Sequence, residues 1–518
     1  MNKAATIAPT ARRSWTRPAL ADWLAAAVLA AAVIATRAVW FGDPAADFDE
    51  QLYSFIGWRM TNGDLPYVQV WDRKPFGLFA VFAFAHWLMG PGAIAYQVLG
   101  CVASFIGALF VYALARELVD RASAAVAGTL YVILLAIYGS YSGQTEEFHT
   151  PIMLAMLWLV RDPRRADASG RATAAMLLGG LAMQIKYTVL PQCLFFGGYA
   201  LYGEWRAGAG PVRLAWRAAL FSLLGVLPTV IVGLLYWHWG HFDQFWFANF
   251  VSFFERLPAH SGRLRPDLFV AILPLALLLA LGLYAAFRLN PPRDWRIYGL
   301  FGAWSVSALA TVLMPGTVYL YYYATMAGPA ALLALPVIDV RSPARFLPAA
   351  LLVLTAGYVV DLPGDYDRAR NDSRAEARLS TAIAAYVGHT HDCLYVFDGP
   401  TALYRTTGTC LPTRFVYPDH LNNALEAKAL GTDQVAEVAR ILANRPGVIV
   451  TAAPAVTVQR AENQKLIREA TRKDYRPLMT ATVQQRNVTA WVRRDLVTAR
   501  SSPVRAPGPS TTGTAPRR

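Results

Sequence analysis

Apolar positions along this chain fall in long unbroken runs, not in the short alternations of half-buried helices or strands. The first run, 19–40, is about 22 residues, long enough to span a bilayer and too long for the apolar core of a signal peptide. Further runs cover 94–115, 122–141, 148–160, 173–186, 188–203, 214–237, 267–287, 296–313, 319–338 and 345–361. They predict about eleven membrane helices, several of them short against the roughly 20 residues that a crossing needs. The run 76–90 is shorter still and reads as a helix that lies on, or dips into, the outer membrane surface.

Basic residues set the orientation. Lys3, Arg12, Arg13 and Arg17 precede the first run. Arg116 with Arg121, Arg161 with Arg164 and Arg165, Arg206 with Arg213 and Arg217, Arg288 with Arg293 and Arg296, and Arg341 with Arg345 occupy alternate connections. The positive-inside rule places these, and the N-terminal segment 1–18, in the cytoplasm. Loops 42–93, 142–147, 186–188, 238–266 and 314–318 are then outside, as is everything after the last span. Within 238–266, Phe242, Phe245, Trp246, Phe250, Phe253 and Phe254 recur at helical spacing. They read as an interfacial aromatic belt or as a surface helix guiding a lipid substrate.

After Asp361 the pattern changes. Residues 19–362 form the transmembrane domain, 363–497 a small extracytoplasmic α/β domain and 498–518 a disordered Pro-, Ser- and Thr-rich tail. In the α/β domain, 374–389 and 433–444 read as helices, 393–397 and 448–450 as buried strands, and 480–492 as one or two more strands. Cys393 and Cys410 lie in this domain and either pair or remain thiols, because spacing alone does not fix a bridge. Cys101 and Cys193 fall in apolar runs as small core residues.

The composition agrees with a polytopic membrane protein: 55% hydrophobic, 16% charged, mean hydropathy +0.32. The net charge of +14 is spread between apolar runs and forms no single basic patch, so no nucleic-acid partner is expected.

Candidate chemistry gathers in 47–75, where acids and bases crowd beside lipid, a costly arrangement that marks function. Asp47 and Glu50 fit a helix N-cap and capping box, which leaves Asp49 unneeded by the cap. On that helix Asp49 and Tyr53 share one face, while Phe48, Leu52, Phe55 and Ile56 share another. Gly63-Asp64-Leu65-Pro66-Tyr67 is a turn signal, and Asp72-Arg73-Lys74-Pro75 sets two cations beside an acid. Such a cation either holds a phosphate or snorkels at the interface. Glu146, Glu147 and His149 close the second outer loop, and Lys186 stands at the outer end of a later helix. No Ser-His-Asp set, CxxC pair or phosphate-cradling Gly loop is evident.

In order and type these residues resemble the GT-C superfamily of integral-membrane glycosyltransferases. Within it they resemble the bacterial lipid A aminoarabinose transferases, protein O-mannosyltransferases and Rgt-type lipopolysaccharide transferases. The matching residues are Asp49-Glu50 with Tyr53, Gly63-x-x-Pro66-Tyr67, Asp72-x-Lys74-Pro75, Glu146-Glu147 and Lys186-Tyr187. The segment Pro400-x-x-Leu403-Tyr404 to Pro412-Thr413-Arg414-Phe415 looks like the outer C-terminal domain of such enzymes. Where the family often has Lys-Pro-Pro, this chain has Lys74-Pro75-Phe76.

The resemblance implies a bacterial inner-membrane enzyme of the cell envelope. It would move a sugar, with inversion, from a polyprenyl-phosphate donor to a glycan, lipid or protein acceptor on the periplasmic face. It implies Asp49 and Glu146 as catalytic residues, with Glu50, Tyr53, Asp72, Lys74, Glu147 and Lys186 binding substrate. No cofactor or metal site is expected, although a divalent metal need stays open. The alternatives are a lipid-linked sugar transporter or flippase, and a non-catalytic scaffold. Transporters place ionisable residues near the bilayer midplane, whereas these acids sit at span ends.

Overall fold

The computed structural model of the chain describes residues 19–257, 266–315, 318–343 and 362–501. The predicted segment 1–18, the predicted span 345–361 and most of the predicted tail lie outside the described residues. The chain forms two compact units, one of residues 1–41, 96–231 and 260–365, the other of 42–95, 232–259 and 366–518. The outer loop, the aromatic segment and the C-terminal segment thus pack within one unit.

The first unit is helical. It contains α1 (Leu20–Arg37), most of α4 (Ala93–Ala115), α5 (Arg121–Ile137), α6 (Thr145–Val160), α7 (Ala168–Met183), α8 (Leu190–Arg206) and most of α9 (Pro211–His238). Helices Pro266–Arg288 and Trp295–Leu313 follow. Among the described residues four helical segments are long and apolar enough to cross a membrane: Leu20–Trp40, Ala93–Ala115, Pro211–His238 and Trp295–Leu313. Small residues let the helices close on one another. A Cβ on Gly282 would stand 2.4 Å from the Leu333 carbonyl oxygen, and one on Gly128 would stand 2.7 Å from Leu29 Cδ2. Leu29, Leu130, Leu154, Phe301 and Trp304 fill the core, while Trp216, Leu223 and Phe287 face outward. The predicted span 319–338 is not one helix. It is a 3₁₀ stretch, Leu320–Met326, then helices Ala327–Leu333 and Leu335–Ile338. Pro329 and Pro336 each withhold a backbone donor there, which limits regular α-helix.

In the second unit, α2 (Phe48–Thr61) starts at Asp47, whose side chain accepts from the Asp49 N–H at 3.4 Å. It packs on α3 (Phe76–Met89), the predicted surface helix. A Cβ on Gly57 would meet the Ala83 nitrogen at 2.7 Å, so glycine permits this approach. Phe79, Phe82 and His86 turn inward from α3, whereas Phe84, Trp87 and Leu88 are exposed. The aromatic segment is helical through Phe242–Trp246, a π turn Phe247–Val251 and Ser252–Glu255.

The C-terminal part carries a sheet of β1 (Leu394–Val396), β2 (Val448–Ala453), β3 (Tyr475–Val483) and β4 (Arg486–Arg493), in the order β1-β2-β4-β3. β1 and β2 are parallel, Tyr395 opposite Ile449, and the other two pairs are antiparallel. The predicted strand region 480–492 is a hairpin with Gln484 and Gln485 both at positive φ. Helix Gln434–Ala443 matches the predicted 433–444, and helix Leu362–Ala384 starts well before the predicted 374. Helix Ala461–Asp474 had no apolar signal, because its buried positions are Asn463, Ile467 and Thr471. Helix Arg494–Ser501 runs into the start of the predicted disordered tail. Cys393 and Cys410 are joined in a disulfide.

Candidate active site

The outer-loop chemistry is assembled by α2, the turn after it and a stretch of the C-terminal segment. Asp49 lies in the first turn of α2, and Tyr53, one turn on, donates its phenol to Asp49 Oδ2 at 3.2 Å. A second phenol, that of Tyr417, donates to Asp49 Oδ1 at 3.0 Å. Both carboxylate oxygens are thus oriented by neutral donors. Burial, and then the Asp49 charge, push the Tyr417 phenol well above its ordinary value, so it stays a donor. The Lys74 ammonium lies 5.6 Å from the centre of the Tyr53 ring. An acid and a cation therefore flank one phenol.

Backbone strain and buried charge hold Lys74 in place. Tyr67 is fully buried at φ 69°, a conformation that costs a bulky residue about 1–3 kcal/mol. In return its ring packs against Phe79, Tyr236 and Phe245, and its phenol donates to the Lys74 carbonyl at 2.9 Å. Asp72 accepts the Lys74 N–H at 2.8 Å on Oδ1, and its Oδ2 lies 3.4 Å from His420 Nε2. Burial alone would raise the Asp72 carboxyl, but His420 and the neighbouring cations hold it below its ordinary value. Arg73 forms a forked pair with Glu426, and Arg256 joins the same carboxylate at 2.7 Å. Two guanidinium groups keep Glu426 low despite its burial. Glu50 is fully buried on α2.

The membrane unit holds a separate set of charges. Glu146 and Glu147 open α6 and are both fully buried. Glu146 is ion-paired with Lys186 and accepts from the Thr145 hydroxyl at 2.8 Å. The Lys186 ammonium stands 4.0 Å from the Tyr322 ring centre. Glu147 accepts from Arg37 Nε at 2.8 Å and from Ser104 at 3.2 Å. His149 is fully buried beside them.

The structure thus brings Asp49, Tyr53, Asp72 and Lys74 together in one unit, and Glu146, Glu147 and Lys186 in the other. Sequence reasoning missed Tyr417, His420, Glu426 and Arg37. Each meets its partner across a long stretch of chain, 368 residues for Tyr417 and Asp49, where no local pattern signals the pairing. Among the described residues no group of three His, Cys, Asp or Glu side chains is placed to hold a metal ion.

Residues 73–232 match the protein family described as dolichyl-phosphate-mannose-protein mannosyltransferase. No curated protein matches the sequence. Two solved structures of ArnT from Cupriavidus metallidurans share the fold. The form bound to undecaprenyl phosphate is 16% identical with a TM-score of 0.57, covering 91% of this chain and 97% of that one. The apo form is 14% identical with a TM-score of 0.61, covering 91% and 98%. The chain therefore has the many-helix GT-C membrane fold of ArnT, and its long apolar helices mark it as a membrane protein.

Proposed function

We propose that the protein is an inverting glycosyltransferase that takes its sugar from a polyprenyl-phosphate donor on the periplasmic face. The observation that carries this is the Asp49 carboxylate, aligned by the Tyr53 and Tyr417 phenols, with the Lys74 cation 5.6 Å from the centre of the Tyr53 ring. A hydroxyl acceptor is a poor nucleophile and needs a base within hydrogen-bond reach. A departing phosphate needs preorganised positive charge.

In this reading the acceptor oxygen attacks the anomeric carbon, and the acceptor's proton passes to Asp49. The bond from that carbon to the phosphate oxygen breaks, and its electron pair stays on the polyprenyl phosphate, countered by Lys74. Tyr53 aligns the base, and Asp72 fixes the backbone that presents Lys74. The undecaprenyl phosphate bound by the Cupriavidus protein of the same fold supports a polyprenyl-phosphate donor. The disulfide Cys393–Cys410 supports an oxidising compartment for the C-terminal segment. The acceptor class, whether lipopolysaccharide, another glycan, a lipid or a protein, is set by groups beyond these residues.

The test is transfer itself. Membranes holding the protein are given a panel of radiolabelled polyprenyl-phosphate sugars and total envelope acceptors. Label should move from one donor to one acceptor fraction. Folded protein that moves label from none of them, with every acceptor fraction present, sinks the proposal.

A further inference from the structure

Tyr417 and His420 sit on a single turn of the C-terminal segment, joined by a hydrogen bond from the His420 N–H to the Tyr417 carbonyl at 3.0 Å. From this turn two side chains reach two carboxylates of the candidate site, one of which holds the Lys74 backbone. Tyr417 donates to Asp49 at 3.0 Å. His420 Nε2 lies 3.4 Å from Asp72 Oδ2, and the other Asp72 oxygen accepts the Lys74 N–H at 2.8 Å.

The turn itself is firmly held. The His420 ring is edge-on to Trp71 at 4.8 Å and to Tyr417 at 5.4 Å, and only 3% of the residue is exposed. The Trp71 N–H donates to the Arg414 carbonyl at 2.9 Å. Glu426, just beyond, is gripped by Arg73 and Arg256. The Gln434 amide donates to the His420 carbonyl at 2.7 Å. A rigid turn with two reaching groups can set two separate geometries at once.

We propose that this turn is a positioning clamp, in which Tyr417 orients the base Asp49 while His420, through Asp72, orients the phosphate-binding Lys74. The clamp rests on the donor and base roles proposed above. It gives the C-terminal segment a direct part in the chemistry beyond covering it. The two prongs have different tasks, so they must fail differently. Loss of the Tyr417 hydroxyl leaves the donor held but the base misaligned. Loss of the His420 ring leaves the base aligned but the Lys74 backbone loose.

The experiment measures kcat and donor KM for three variants in the transfer assay, with the binding of undecaprenyl phosphate measured by quenching of intrinsic fluorescence. Tyr417→Phe should lower kcat about tenfold with donor KM nearly unchanged, the loss of one oriented hydrogen bond to a charged group. His420→Ala should raise donor KM and the undecaprenyl phosphate Kd about tenfold with kcat nearly unchanged. His420→Gln, which keeps a donor near the Nε2 position, should recover most of that loss. A purely structural turn predicts parallel losses in kcat and KM for Tyr417→Phe and His420→Ala, and no rescue by Gln. That outcome, or wild-type values in both variants, overturns the clamp while leaving the transferase reading intact. A wild-type protein that neither transfers sugar nor binds undecaprenyl phosphate overturns both.

Discussion

Replacing Glu147 by Gln tests whether this acid serves the fold or the substrate. The Arg37 and Glu147 side chains are 1% and 0% exposed, and their N–O separation is 2.8 Å. With charge centres about 4 Å apart, their attraction is about 4 kcal/mol at an effective dielectric of about 20. Gln at this position leaves the Arg37 charge buried, with neutral partners among the described residues, the Ser140 carbonyl at 3.0 Å and the Thr36 hydroxyl at 2.9 Å. Removing one member of a buried pair costs about 3–5 kcal/mol, because the other charge stays desolvated. For a large domain each kcal/mol moves the unfolding midpoint by about 2 °C, so Glu147→Gln should lower it by about 6–10 °C. The assay is thermal unfolding of the purified protein in detergent. The double variant Arg37→Met with Glu147→Met should recover part of the loss, since it removes both charges. A wild-type midpoint in Glu147→Gln, together with weakened substrate use, would refute the reasoning and return Glu147 to a substrate-binding role.

Other outcomes follow from the same structure. Asp43 is 2% exposed, and burial, with the Asp372 and Glu376 charges nearby, pushes its carboxyl up to about 7. The folded protein then keeps a proton that the unfolded chain releases near its ordinary value, so stability falls as pH rises from about 4 through about 7. Asp43→Asn should flatten that slope, read as the difference in unfolding midpoint between about pH 5 and about pH 8; an unchanged slope would assign it to other groups. Lys74→Ala should raise donor KM with a smaller effect on kcat, and donor titration at fixed acceptor checks this. The disulfide Cys393–Cys410 has a sequence separation of 17. Cys393→Ser with Cys410→Ser should cost about 3 kcal/mol by chain entropy, seen as faster proteolysis of the C-terminal segment.

How much of this was legible in the sequence depended on range. The runs 94–115, 214–237 and 296–313 match Ala93–Ala115, Pro211–His238 and Trp295–Leu313 closely, because an apolar run of spanning length has few other uses. The Asp49–Tyr53 pair followed from i,i+4 geometry and the Asp47 cap from its residue type. The run 319–338 misled because hydropathy is blind to what Pro329 and Pro336 do to a backbone. Helix Ala461–Asp474 was silent because it buries polar Asn463 and Thr471. The second half of the outer-loop site was out of reach altogether. Tyr417, His420 and Glu426 acquire their roles only when the chain brings them to Asp49, Asp72 and Arg73. The Arg37–Glu147 pair was hidden for the same reason, since its members lie 110 residues apart.

The central claim is that the Asp49 carboxylate is the base of a sugar transfer. The most direct measurement compares wild type with Asp49→Asn in a single-turnover transfer assay, at saturating donor, with matched amounts of folded protein. Asn keeps the side chain's size and an acceptor oxygen for one phenol but cannot take the proton. The transfer rate should fall about 10²–10⁴-fold with undecaprenyl phosphate binding retained. Transfer at the wild-type rate by Asp49→Asn would contradict it.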